Sequence, residues 1–161
     1  MLHQYLFHRF SRVTRKIYFS KSVNEDSAKV FNQIANFENY ASYIPGCKKS
    51  VLIEKQKEFE IGQLEFNLLF RDYLIKSKNV LSENTIKIEQ VEGPFNFFKG
   101  EWSISNINDL ETLIEFHAEF ELPLILNNLL PDNVIDSFCE VLIDAFIDLS
   151  LIHISEPTRR I

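Results

Sequence analysis

The sequence predicts an α+β fold, a curved antiparallel sheet wrapped around a long C-terminal helix, with two short helices after the first strand. Three observations predict it. Residues 47–122 alternate apolar and polar side chains, with turn residues between the runs, which is the period of half-buried strands. Beyond Pro123 the apolar period lengthens to that of a helix. The chain has 161 residues, enough for one domain that buries about two thirds of its unfolded surface and too few for two.

In chain order, residues 17–23 have strand character, and Asn24, Glu25, Asp26 and Ser27 are capping-type residues that open a helix carrying Val30, Phe31 and Ile34 on one face. A second short helix over residues 37–43 must stop near Ile44, because Pro45 and Gly46 cannot continue it. The strand runs then place Val51 and Ile53, Leu64, Phe66, Leu68 and Phe70, Ile86 and Ile88, Trp102 and Ile104, and Ile114, Phe116, Ala118, Phe120 and Leu122 on one apolar face. Glu115, His117, Glu119 and Glu121 fall on the opposite, water-facing side of the last strand. In the closing helix, Val134, Ile135, Phe138, Leu142, Ala145, Phe146 and Leu149 make one stripe, opposite Asp132, Asp136, Glu140, Asp144 and Asp148. Pro131 either starts that helix or kinks it, which makes residues 122–130 an apolar, jointed lead-in. Its expected role is a lid or a membrane-touching edge, with ordinary packing as the alternative.

Composition excludes several function classes. The four glycines, Gly46, Gly62, Gly93 and Gly100, stand too far apart for a phosphate-cradling loop or a dinucleotide fingerprint. No apolar run approaches the ~20 residues that cross a bilayer. A net charge of −6 argues against DNA or RNA as the main partner. A local basic patch lies at the start, where residues 1–24 hold no acid and Arg9, Arg12, Arg15, Lys16 and Lys21 are interleaved with Leu6, Phe7, Phe10, Ile17 and Tyr18. This stretch reads as an extension running into the first strand, with a presequence or membrane-surface anchor as the alternative. Two cysteines, Cys47 and Cys139, are too few and too distant for a disulfide framework and suit a reducing compartment. The expected organisation is a basic extension at 1–16, one domain at 17–149 and a foreign tail at 150–161, where SLIHISEPTR resembles the translation of a sequencing adapter.

Fifteen phenylalanines lift the aromatic share to 13%. An aromatic face between sheet and helix is either a dry core or a cavity for a flat or long apolar ligand, and periodicity alone favours the core. His117 beside Glu115 and Glu119 reads as a solvated strand face, since residues two apart on one strand surround an ion poorly. Cys47, next to the Pro45–Gly46 turn, reads as a small buried residue. No nucleophile setting is apparent.

The segments YASYIPGC at 40–47, EGPFNFFKGEW at 92–102 and IEFHAEFEL at 114–122 resemble the coenzyme Q-binding protein family. Its bacterial members are also named ribosome-association toxins, and it lies within the START and polyketide-cyclase-like helix-grip superfamily. The resemblance spans residues 18–149 and is weakest over 51–85. It implies a START-like helix-grip fold with a hydrophobic tunnel, and non-enzymatic binding of ubiquinone or a related polyprenyl quinone as a carrier or chaperone supporting respiratory electron transport. By alternation, the tunnel-facing residues would be Phe66, Leu68, Phe70, Ile86, Ile88, Phe95, Trp102, Ile104, Phe116, Ala118, Phe120, Phe138, Leu142 and Phe146. No catalytic residue, metal or cofactor is expected beyond a ubiquinone-type ligand. The implied partners are that hydrophobic small molecule and, as further candidates, a membrane surface and the ribosome. The implied location is cytoplasmic or peripheral at the inner membrane, mitochondrial in a eukaryotic source. Two alternatives stay open: a toxin that binds the large ribosomal subunit and blocks subunit joining, and a polyketide cyclase-like enzyme resting on fold analogy alone.

Overall fold

The computed structural model describes the backbone at residues 14–68 and 70–159, and the side chains within those ranges other than 68, 143 and 147–159. Seven strands, β1 (Thr14–Val23), β2 (Cys47–Lys55), β3 (Glu60–Leu68), β4 (Arg71–Leu81), β5 (Thr85–Glu92), β6 (Phe97–Asn108) and β7 (Glu111–Glu121), form one sheet in the order β1-β7-β6-β5-β4-β3-β2. Every pairing is antiparallel. Strands β2 to β7 form a meander, as the alternation predicts, and β1 adds to its far edge. The connection from β1 to β2 carries helix α1 (Ser27–Ala35) and a short 3₁₀ helix (Phe37–Ser42). Two more helices follow the sheet, α2 (Leu124–Leu129) and the long α3 (Asp132–Arg159).

Local chemistry explains the element boundaries. Asp26 caps α1, its carboxylate accepting from the Lys29 amide at 3.3 Å. The next helix is 3₁₀ in form, and Ser50 of β2 satisfies it from the side: the hydroxyl donates to the Glu38 carbonyl at 2.9 Å and accepts from the Ala41 amide at 3.0 Å. Gly46 has φ +84°, and a Cβ there would come within 2.9 Å of the Asn67 carbonyl, so the turn into β2 requires glycine. Pro131 directly precedes α3, its carbonyl accepting from Val134 at 3.0 Å and Ile135 at 3.3 Å, so proline starts the helix rather than kinking it.

The buried apolar residues fall into three groups. Val30 and Ile34 of α1 pack on Ile86, Trp102, Ile104 and Ile114 of the sheet. Phe37, Tyr40, Ile44, Cys47 and Phe66 form a second group, against which Phe138, Leu142 and Phe146 of α3 are laid. Phe120, Leu122, Leu130 and Ile135 join the end of β7 to the start of α3.

Two expectations are corrected. Strand β1 includes residues 14–16, ahead of the expected start at Ile17, because Arg15, Ile17 and Phe19 alternate inward against β7; the rest of the expected extension, residues 1–13, lies outside the described residues. On β2 the inward residue is Leu52, whereas Ile53 is exposed. Register shifts between Cys47 and Lys49 and between Leu52 and Glu54 disturb the period-two parity on which that assignment rested.

Candidate functional site

Between the inner face of the sheet and α3 lies a cavity of about 350 Å³. Its walls follow from strand parity. On β4 every second residue, Tyr73, Ile75, Ser77, Asn79 and Leu81, faces it. Ile86, Ile88 and Gln90 continue the wall on β5, Phe98 and Trp102 on β6, and Phe116 and Phe120 on β7. Helix α3 closes it with Val134, Ile135, Phe138, Cys139, Leu142 and Phe146, while Phe37, Tyr40 and Ile44 close the end nearest β2. Val134 lines the cavity and is also 42% exposed, which marks a place where the cavity meets solvent.

Ring contacts hold these walls in shape. Phe146 lies between the sheet and the 3₁₀ helix, its centroid 5.1 Å from Tyr40 and 5.2 Å from Trp102, and Trp102 packs on Phe116 at 4.5 Å. Phe66 meets Phe138 across the gap at 5.9 Å. At the other end Phe95, Phe98 and Phe120 form a triangle of rings, Phe95 lying 5.4 Å from Phe98 and 5.6 Å from Phe120, and Phe98 6.1 Å from Phe120.

Ten of the fourteen residues expected from the sequence lie on this wall: Phe66, Ile86, Ile88, Phe95, Trp102, Phe116, Phe120, Phe138, Leu142 and Phe146. The Leu68 side chain lies outside the described residues. Phe70 is corrected: it is fully exposed with φ +64°, because the chain reverses between β3 and β4 there and strand alternation no longer applies. Ile104 is also placed elsewhere, packed with Val30 and Ile34 beneath α1, so it is core rather than cavity wall. Ala118 is buried opposite Gly100 but is not on the wall, its side chain shorter than those of Phe116 and Phe120 on either side.

Sequence reasoning missed the whole contribution of β4, together with Glu60, Phe37, Tyr40, Phe98 and Cys139. The β4 pattern hides it, since polar Ser77 and Asn79 point inward while Leu74 is exposed. Arg15 was missed as well. Its guanidinium, mostly buried, donates to Asp132 at 2.5 Å and to Asn127 at 2.9 Å, clasping β1 to α2 and to the first turn of α3.

Two polar side chains of the wall, Tyr40 and Gln90, are bonded to the backbone. The Tyr40 hydroxyl donates to the Ile34 carbonyl, and burial, with Tyr43 and Glu60 nearby, pushes its pKa far above the ordinary phenol. Tyr43 is raised for the same main reason, burial. Gln90 pins the turn before β6, donating from Nε2 to the Phe95 carbonyl at 2.8 Å and accepting from the Phe95 amide at 3.2 Å. Burial, and next Asp136, pushes the Cys139 thiol up to about 11, partly opposed by Arg15, and burial also raises Cys47.

On the outer face, His117 is exposed; Tyr18 donates to Glu115 at 2.9 Å, and Lys16 stands 3.7 Å from Glu119. Among the described residues no group of three or more His, Cys, Asp or Glu is placed to hold a metal ion, and no helix is long and apolar enough to cross a membrane.

Residues 23–147 match the family described as polyketide cyclase / dehydrase and lipid transport. Among curated proteins, the ribosome association toxin RatA of Vibrio cholerae is 20% identical over 128 residues, 79% of this chain and 89% of that protein. RatA of Escherichia coli K12 is 25% identical over 122 residues, 74% of this chain and 77% of that protein. Among solved structures, the Zhui aromatase/cyclase from Streptomyces sp. R1128 superposes with a TM-score of 0.74 at 15% identity, covering 86% of this chain and 94% of its own. A START superfamily protein from Mycobacterium smegmatis superposes with a TM-score of 0.70 at 14% identity, covering 88% and 97%.

Proposed function

Because the chain belongs to the polyketide cyclase / dehydrase and lipid transport family, with a START-like helix-grip fold, we propose that it binds one hydrophobic ligand without transforming it. The ligand of this reading is a ubiquinone-type ring carrying a polyprenyl tail, and the protein carries or shields it for membrane enzymes of electron transport. The observation that carries the proposal is the cavity, about 350 Å³ and walled almost wholly by aromatic and aliphatic side chains. That volume is at the low end of the roughly 300–1,000 Å³ of small-molecule sites. It suits a ring with the first part of a tail, the remainder leaving past Val134. Each buried CH₂ contributes about 0.8 kcal/mol, so even a partly enclosed tail supplies most of the affinity.

Two further features support binding rather than catalysis. The Tyr40 hydroxyl is spent on a backbone carbonyl and held protonated, and the Gln90 amide is spent on the Phe95 turn. The exposed apolar side chains Leu124, Ile125 and Leu129 of α2 lie between the cavity-lining residues Leu122 and Leu130, and they suit an edge that rests on a membrane surface while ligand passes. The working location on this reading is the cytoplasm, at the membrane periphery.

The test is to purify the full chain, extract it with organic solvent and identify any lipid by mass and absorbance. About one prenylquinone per chain is expected. A second reading, a factor that binds the large ribosomal subunit, is favoured by the similarity to RatA over most of both chains. A lipid-free protein that sediments with that subunit would replace the first reading by the second.

A further inference from the structure

Two adjacent inward positions of β4 put buried uncharged polar side chains on the cavity wall. Ser77 and Asn79, 7% and 5% exposed, face inward from the middle of β4, flanked on the same face by Ile75 and Leu81. Burying two uncharged polar side chains in an apolar wall is unfavourable unless their hydrogen bonds are made. They make one with each other, the Ser77 hydroxyl donating to Asn79 Oδ1 at 3.0 Å. That bond uses the serine proton and the amide oxygen. It leaves the Asn79 NH₂ as donor and the lone pairs of Ser77 Oγ as acceptors.

Directly across the ladder from Asn79 is Glu60, which lines the same cavity. Its side chain is 13% exposed and its nearest cation, Lys55 Nζ, is 4.0 Å away. No Lys, Arg or His is among the described residues of the wall. A carboxylate with no cation opposite it inside the cavity disfavours an anionic head, so a fatty acid or a phosphate fits this wall poorly.

We propose that Asn79, oriented by Ser77, is the anchor for a neutral carbonyl oxygen on the ring of the bound ligand, and that Glu60 makes the cavity select against acids. The inference deepens the quinone reading above and rests on it. A quinone presents carbonyl oxygens that only accept hydrogen bonds, and with the Tyr40 hydroxyl and the Gln90 amide bonded to backbone carbonyls, the Asn79 NH₂ supplies a donor in the middle of a mostly apolar wall. The anchor fixes which way round the molecule enters: ring against β4, tail toward α3 and solvent.

Trp102 is the sole tryptophan of the sequence and lines the cavity, so its fluorescence reports occupancy. The full chain, Asn79→Leu and Ser77→Ala are titrated with three probes of equal chain length: decyl-ubiquinone, decylbenzene and decanoate. Decyl-ubiquinone should bind the wild type best and decanoate worst. Asn79→Leu should weaken the quinone about tenfold, equivalent to about 1.4 kcal/mol, while decylbenzene binds as before or more tightly. Ser77→Ala, which keeps the fold but frees the amide to turn, should weaken the quinone by a smaller factor, about threefold.

Equal losses for quinone and hydrocarbon in Asn79→Leu, or no loss in either variant, would overturn the anchor while leaving the quinone reading in place. A wild type that takes decylbenzene but not the quinone, or neither probe, would overturn both. Should Asn79→Leu fail to fold by circular dichroism, the Ser77→Ala ratio of quinone to hydrocarbon affinity decides alone, an unchanged ratio counting against the anchor.

Discussion

Gly62 shows how closely single residues set the cavity end. The Phe37 ring lies on it so tightly that a Cβ would stand 2.3 Å from Phe37 Cζ. Gly62→Ala must therefore displace a buried ring that also packs 5.0 Å from Tyr40, an overpacking change expected to cost about 1–3 kcal/mol and to lower Tm by several degrees in a calorimetric scan. Cys139 allows a chemical check. Its thiol is held near 11, so at pH 8 almost none is thiolate, and alkylation by iodoacetamide should be far slower than for a free cysteine. The rate should climb steadily as pH rises toward 11, since the raised pKa postpones deprotonation. Full reactivity already at pH 8 would mean that the residue is not buried in the wall. Neither residue was singled out beforehand: Gly62 has no side chain to show periodicity, and Cys139, although four residues after Ile135 and seven before Phe146 on the apolar stripe of its helix, was weighed only for disulfide pairing.

The elements were legible in proportion to the regularity of their patterns. Strand β7, with Phe116 and Phe120 inward and His117 and Glu119 outward, follows its alternation along its length, and α1 follows its caps. Strand β2 misled because bulges change its parity, and β4 because Ser77 and Asn79 occupy positions that a plain core would fill with aliphatic residues. Such local disagreement between pattern and burial is expected where a site is built into a wall. The lead-in to α3 was legible as jointed, but not the clasp that holds it, because Arg15 is 112 residues from Asn127 in sequence. Arg15→Ala should speed backbone amide exchange over residues 124–135 with little change in exchange along β5 and β6. Helix α2 has its own test. Ile125 and Leu129 are 75% and 68% exposed, so Ile125→Glu and Leu129→Glu should reduce binding to phosphatidylcholine vesicles and leave Tm unchanged. Leu126 packs against the cluster of Phe120 and Leu122, and Leu126→Glu should lower Tm instead.

At the scale of the molecule, the order of elements was readable from periodicity, while the enclosed space was not. Whether facing aromatic residues interlock or stand apart depends on the curvature of seven strands and the lie of one helix, and no local pattern encodes either. A cavity of about 350 Å³ in a domain of this size is a stability deficit that ligand would offset. At a ligand concentration of about 100 Kd, binding should add about 2.7 kcal/mol and raise Tm by several degrees, whereas a protein whose partner is a ribosomal surface should show no such shift with quinone. Direct labelling bears most closely on the cavity as a quinone site. An aryl-azide analogue of decyl-ubiquinone, photolysed on the full chain and followed by peptide mapping, should mark inner-face residues such as Ile88, Phe116 and Phe138, with labelling abolished by excess unmodified quinone. Labelling confined to the exposed residues Ile53, Val91 and Leu110, or labelling that excess quinone does not displace, would contradict it.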